Sequence, residues 1–202
     1  MPFGVFNDLD MPIMYKKGLL IILSGPSGVG KGTVRKELMK DPSLHLFFSV
    51  SMTTRGIRPG EMNGREYYFV SKEEFQRNID NGNLLEWAEF VGNRYGTPKD
   101  KVEQMREEGK NVLLEIETKG TAKVLAKCPD ALSIFLMPPS LKDLENRIRG
   151  RKTEPEAVIE ERLAKARAEL PLASKYQHVV LNDTVERAAS EIASIIKTAL
   201  GE

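Results

Sequence analysis

Four glycines and one lysine in the run Gly25-Pro26-Ser27-Gly28-Val29-Gly30-Lys31-Gly32-Thr33 have the spacing of a P-loop, a backbone cradle for phosphate. Glycine lets the main chain turn its N–H groups inward without a Cβ in the way, and a helix that starts at such a loop adds the positive end of its dipole. Lys31 supplies a mobile charge for the β- and γ-phosphates of a nucleotide. Gly32 stands where the simplest form of the motif has a magnesium-binding Ser or Thr, and the hydroxyl is displaced to Thr33. A magnesium ion would then be held mainly by nucleotide phosphates and water. Two further clusters of charged residues stand out. Glu115 and Glu117 are two apart in Leu113-Leu114-Glu115-Ile116-Glu117, hence on one face of a strand near its C-terminal end. Arg147, Arg149, Arg151 and Lys152 crowd around Gly150, and Arg162 follows one helix later. A cation cluster such as the second would suit phosphoryl transfer, where in-line positioning and charge neutralisation do most of the work.

These groups need a frame. The apolar run Leu19 to Leu23, closed by Ser24-Gly25-Pro26, reads as a strand buried on both faces. From Thr33 the pattern turns helical, with Val34 and Leu38 one turn apart, until Asp41-Pro42 stops it. Residues Phe47 to Gly96 change texture: short strand-like pieces, Phe47 to Ser51 and Glu66 to Val70, lie between Gly, Pro and Asn turns, and a helix is expected over Lys72 to Asp80. Val112 to Ile116 and Leu132 to Leu136 are further buried strands, with helices over Pro98–Glu108 and Thr121–Lys127. Leu141 to Leu170 is helical apart from its charged interruption, His178 to Leu181 is a last strand, and Val185 to Leu200 a closing amphipathic helix. Alternating strands and helices predict an α/β fold with a parallel sheet covered on both sides.

The composition excludes several function classes. With 30 basic and 29 acidic residues in 202, the net charge is +1, so no polyelectrolyte attraction to nucleic acid or to an acidic membrane is expected. The longest apolar run is far shorter than the roughly 20 residues of a membrane span, and no secretory leader is legible. One cysteine, Cys128, forms no internal disulfide, and His45 and His178 make no metal-ligand pattern, so a cytoplasmic protein is the expectation.

Thr53-Thr54-Arg55-Gly56-Ile57-Arg58-Pro59-Gly60-Glu61-Met62-Asn63-Gly64-Arg65-Glu66-Tyr67-Tyr68-Phe69 resembles the guanylate kinase signature throughout. Phe48-Ser49-Val50-Ser51, Leu85-Glu86-Trp87-Ala88 and Tyr95-Gly96-Thr97 resemble the same family, and the Gly-Lys-Gly-Thr form of the P-loop is similar to that of nucleoside monophosphate kinases. The resemblance runs from Gly18 to the C-terminus. It implies a P-loop nucleoside monophosphate kinase fold with a five-stranded parallel core sheet flanked by helices. An extension over 1–17 would precede a single domain over 18–202, with core 18–48 and 98–202, a GMP-binding lobe over about 49–97 and a lid over about 147–163.

The implied activity is transfer of the γ-phosphoryl group of ATP to GMP, and to dGMP, with Mg²⁺ accompanying ATP. Residues Gly25 to Thr33 would bind ATP, with Asn182 on the adenine side. Arg55, Arg58, Tyr67 and Tyr95 would hold the GMP phosphate; Glu86 would accept from guanine N1–H and its amine, while Ser51 and Thr97 would donate to O6. Glu117 would face the guanine amine or its solvent shell and Glu115 a water on magnesium, although the family commonly has aspartate at one or both positions. Lys31, Arg58, Arg147, Arg151 and Arg162 would neutralise charge in the transition state. Adenine would turn an unprotonated N1 towards Glu86, pairing two acceptors, so AMP is expected to be rejected. The competing reading is a guanylate-kinase-like module that binds phosphopeptides without catalysis; intact glycines and Lys31 speak for the enzyme.

Overall fold

The computed structural model describes residues 16–90, 92–150 and 155–202. Most of the N-terminal extension expected over 1–17, and Arg151 with the rest of 151–154, lie outside them. The core begins with β1 (Leu20–Ser24), the P-loop and α1 (Lys31–Leu38), then β2 (Leu46–Phe48). A second group of elements follows: β3 (Met52–Thr53), β4 (Tyr68–Phe69), α2 (Lys72–Asp80), β5 (Leu84–Phe90) and β6 (Asn93–Pro98). The chain then returns to the core through α3 (Lys99–Glu107), β7 (Asn111–Glu115), α4 (Thr118–Lys127), β8 (Leu132–Met137), α5 (Leu141–Arg149), α6 (Glu156–Glu169), β9 (His178–Leu181) and α7 (Val185–Leu200).

The core sheet has five parallel strands in the order β2-β7-β1-β8-β9. Its central strand explains the uninterrupted apolar run. Ile21 and Leu23 pack into a cluster with residues of α1, α5, α6 and α7, while Leu20 and Ile22 pack on the other face with Val102, Val112 and Val124. All four side chains are fully buried, each contributing about 1.5–3 kcal/mol relative to exposure. Among the described residues no helix is long and apolar enough to cross a membrane.

The second sheet, β4-β3-β6-β5, joins the parallel β3–β4 pair to the antiparallel β3–β6 and β6–β5 pairs. It corrects the expected strand Phe47 to Ser51: Phe47 and Phe48 pair with β7 in the core sheet, whereas the next strand, Met52–Thr53, belongs to the second sheet. The β5–β6 hairpin is absent from the periodicity reading because a register shift between Leu84 and Trp87 interrupts the alternation that marks a strand. The helix over Lys72–Asp80 starts where expected, its Ser71 hydroxyl accepting from the Glu74 N–H and its Phe75 fully buried.

Candidate functional site

The P-loop joins the C-terminal end of β1 to the N-terminus of α1, the edge of a parallel sheet at which ligands gather. Gly25, Gly28 and Gly30 have φ of 145°, 84° and 102°, conformations in which a Cβ is strained. Gly30 caps α1 with no side-chain hydrogen bond, leaving the first N–H groups of the helix open to an anion. The Lys31 ammonium donates to the carbonyls of Gly25 (2.7 Å) and Pro26 (3.2 Å), folding back over the loop. Burial pulls its pKa below the ordinary lysine value, and the charges of Glu115, Glu169 and Glu117 act in the opposite direction.

A cavity of about 580 Å³ opens over this loop. Lys31, Gly32 and Thr33 line it together with Ser27, Arg162, Glu115, Glu117 and Glu169. Arg162, from α6, donates to the Ser27 hydroxyl at 3.0 and 3.2 Å, so that helix brings a cation to the loop's front. Arg147 and Asn182 sit elsewhere. Arg147 donates to the carbonyls of Val29 (3.1 Å) and Asn182 (2.9 Å), and the buried Asn182 amide donates to Val29 O (2.7 Å). Both therefore brace the loop, and neither lines the cavity.

A second cavity, of about 670 Å³, lies between the two sheets and is lined by Ser51, Tyr67, Glu86, Tyr95, Gly96, Gly120 and Lys165. Glu115, Ile116 and Glu117 line both cavities, so the two spaces meet at the end of β7. A buried carboxylate lines the second space. Glu86 is 8% exposed, and its Oε1 accepts from the Thr97 hydroxyl at 2.8 Å. Burial raises the Glu86 pKa above the ordinary glutamate value, opposed by that hydrogen bond and by the charge of Lys123. The Thr97 proton expected on a base oxygen is thus spent on Glu86, which fixes one carboxylate oxygen in place. The Tyr67 and Tyr95 rings meet edge to face at 5.8 Å, and burial raises the Tyr67 pKa.

Arg55 and Arg58 line neither cavity. Arg55 forms a two-pronged pair with Glu61 (2.8 and 3.0 Å) and lies 5.3 Å from the Tyr67 ring centre. Glu61 also accepts the Arg58 N–H at 2.8 Å, which orders the turn between the two arginines, and these hydrogen bonds, that of Arg55 first, hold its pKa below the ordinary value. The Arg58 side chain projects from an exposed residue.

Three participants escaped the sequence reading. Arg35 pairs with Glu115 at 2.8 Å and stacks 4.0 Å from the Phe48 ring centre; its spacing of four from Lys31 places both on one helix face, a signal that was legible. Lys165 pairs with Glu117 at 2.9 Å across the mouth shared by the cavities. Glu169 is buried, its Oε1 accepting from the Thr118 hydroxyl at 3.2 Å while Oε2 has no hydrogen-bond partner among the described residues, and burial raises its pKa. Among the described residues no group of three or more His, Cys, Asp or Glu is placed to hold a metal ion. Glu115 Oε2 is committed to Arg35, and Oε1 faces Gly32 at the loop. Carboxylate oxygens and the exposed Thr33 suit a hard cation that keeps its own water and phosphate ligands.

The family model for guanylate kinase matches residues 17–199. The chain is 56% identical over 181 residues to the guanylate kinase of Mycoplasma mycoides, covering 90% of this chain but 61% of that protein. It therefore spans about three fifths of the length of the Mycoplasma relatives it matches. The guanylate kinase of Bacillus cereus is 54% identical over 181 residues, with 90% of this chain and 88% of that protein covered. The crystal structure of guanylate kinase from Anaplasma phagocytophilum superposes with a TM-score of 0.72 at 34% identity, covering 92% of this chain and 88% of that one.

Proposed function

The chain belongs to the guanylate kinase family, and from that premise we propose that it transfers the γ-phosphoryl group of ATP to GMP, giving ADP and GDP. One observation carries the reading: a cavity over the P-loop and a cavity lined by a buried carboxylate meet at Glu115–Glu117. ATP places its phosphates on the loop N–H groups and Lys31, and Mg²⁺ travelling with ATP neutralises phosphate charge when bound. GMP enters the second cavity base first, where Glu86 accepts from N1–H and the exocyclic amine. Its phosphate then points back towards the loop. Ionised, it is already a competent nucleophile, so the protein needs no general base; its task is to align the phosphates and supply cations. Lys31 and Arg162, both at the loop, stand ready for the transferred group.

Arg55 and Arg58 have to approach, because in this state they lie outside both cavities. We assign them to the GMP phosphate, reached when the β3–β6 lobe swings towards the loop and excludes water that would otherwise hydrolyse ATP. Solution scattering is expected to show a smaller radius of gyration with GMP plus a nonhydrolysable ATP analogue than with neither; equal radii would exclude closure. Arg58→Ala is expected to raise the KM for GMP by roughly 10- to 100-fold, the value of a charge-assisted phosphate contact. Its KM for ATP should stay near the wild-type value, and initial rates at varied GMP and ATP separate the two.

The function itself is tested by ADP formation with ATP and Mg²⁺, offering GMP, dGMP, AMP, CMP and UMP separately. Turnover with GMP and dGMP, lost in excess chelator, is the expected result. GMP binding without turnover would overturn the kinase reading in favour of a binding module.

A further inference from the structure

We infer that Gly120 is a specificity-determining positioning residue, whose missing side chain gives the Glu86 carboxylate the space from which it reads the acceptor base. The inference rests on the acceptor-site reading above. Gly120 is the third residue of α4 and lines the second cavity. Its backbone is ordinary helix with no positive φ, so conformation does not demand glycine there. Alanine would suit a helix better. The position of Glu86 gives glycine its reason. A Cβ at this position would lie 2.8 Å from Glu86 Oε2, 3.3 Å from its Cδ and 3.4 Å from its Cγ, and all three nearest atoms belong to Glu86.

The helix cannot simply retreat. Lys123 donates to the Trp87 carbonyl at 2.8 Å and Lys127 to the Leu84 carbonyl at 2.7 Å, tying α4 to β5 on both sides of Glu86. The element that yields is the flexible end of Glu86. Moving it disturbs the 2.8 Å hydrogen bond from Thr97 and turns both oxygens away from their positions in the cavity. Gly120 and Thr97 therefore act as two sides of one holder: the hydroxyl fixes Oε1, and the bare Cα leaves the seat of Oε2 vacant.

Gly120→Ala tests this with a split that a merely structural role would not produce. The expected result is a KM for GMP raised about tenfold or more, a KM for ATP within twofold of wild type, and a melting temperature equal to or above wild type. In a Glu86→Gln background, where base recognition is already impaired, the same substitution should change the KM for GMP by less than about threefold. An unaltered KM in the single variant, or a full tenfold penalty on top of Glu86→Gln, would overturn the inference. Should Gly120→Ala fold poorly, melting of the double variant Glu86→Ala/Gly120→Ala decides. Removing the carboxylate removes the collision, so the double variant should melt no lower than Glu86→Ala alone. A lower value would show that the Cβ collides with something other than Glu86 and would sink the idea. A wild-type protein inactive on GMP would defeat the kinase reading, yet the melting comparison would still report on the contact itself.

Discussion

Lys31→Ala is expected to lower turnover about 10³-fold with little change in the melting temperature. Loss of a single preorganised group that stabilises transition-state charge costs about 10²–10³ in kcat, and here the lost group is a full positive charge at the phosphate loop. The structure adds a reason for the small effect on stability. Among the described residues Lys31 donates to the carbonyls of Gly25 and Pro26 beside an open cavity, and water can satisfy both carbonyls once it is gone. Its burial already pushes its pKa down, so the folded state bears a desolvation cost that alanine removes. Single-turnover rates at saturating ATP and GMP, with melting in parallel, check both halves. A variant with turnover within tenfold of wild type would remove Lys31 from the reacting centre.

Glu86→Gln is expected to lower kcat/KM for GMP by roughly 10²- to 10³-fold, because a buried site loses a charge-assisted pair and presents an amide donor to guanine donors. The pH dependence follows from the environment of the side chain. Burial raises its pKa, and the form that accepts from guanine is the carboxylate. As pH falls through that raised pKa the carboxylate is protonated and kcat/KM for GMP falls, at a higher pH than an ordinary glutamate would give. The GMP phosphate also titrates, near pH 6 for a phosphate monoester, but it does so identically for both proteins. The ratio of wild-type to Glu86→Gln kcat/KM isolates the side chain and should shrink towards acid pH. A ratio independent of pH would show that the carboxylate does not read the base.

Much of the molecule is local in origin. The P-loop was legible because strand, glycine turn and helix are contiguous, and the left-handed φ values at Gly28 and Gly30 leave few residue choices. The spans Lys72–Asp80, His178–Leu181 and Val185–Leu200 follow directly from periodicity and caps. The acceptor side was legible only through family resemblance, since a lone Glu86 and two loop arginines have no spacing that points to a nucleotide.

What the sequence by itself determined is which faces are apolar and where chain direction changes, because burial imprints a period of 2 or 3.6 on neighbouring residues. Partners leave no such imprint. The order β2-β7-β1-β8-β9, the division of Phe47 to Ser51 between core strand and following loop, the Arg35–Glu115 and Lys165–Glu117 pairs, and the seat of Glu86 between Thr97 and Gly120 were decided by the tertiary structure. Each joins side chains distant in the chain, and whether they meet depends on strand order and helix placement. The same holds for chemistry: the environment of Glu86 is set only when the fold buries it and places it between the Thr97 hydroxyl and the bare Cα of Gly120.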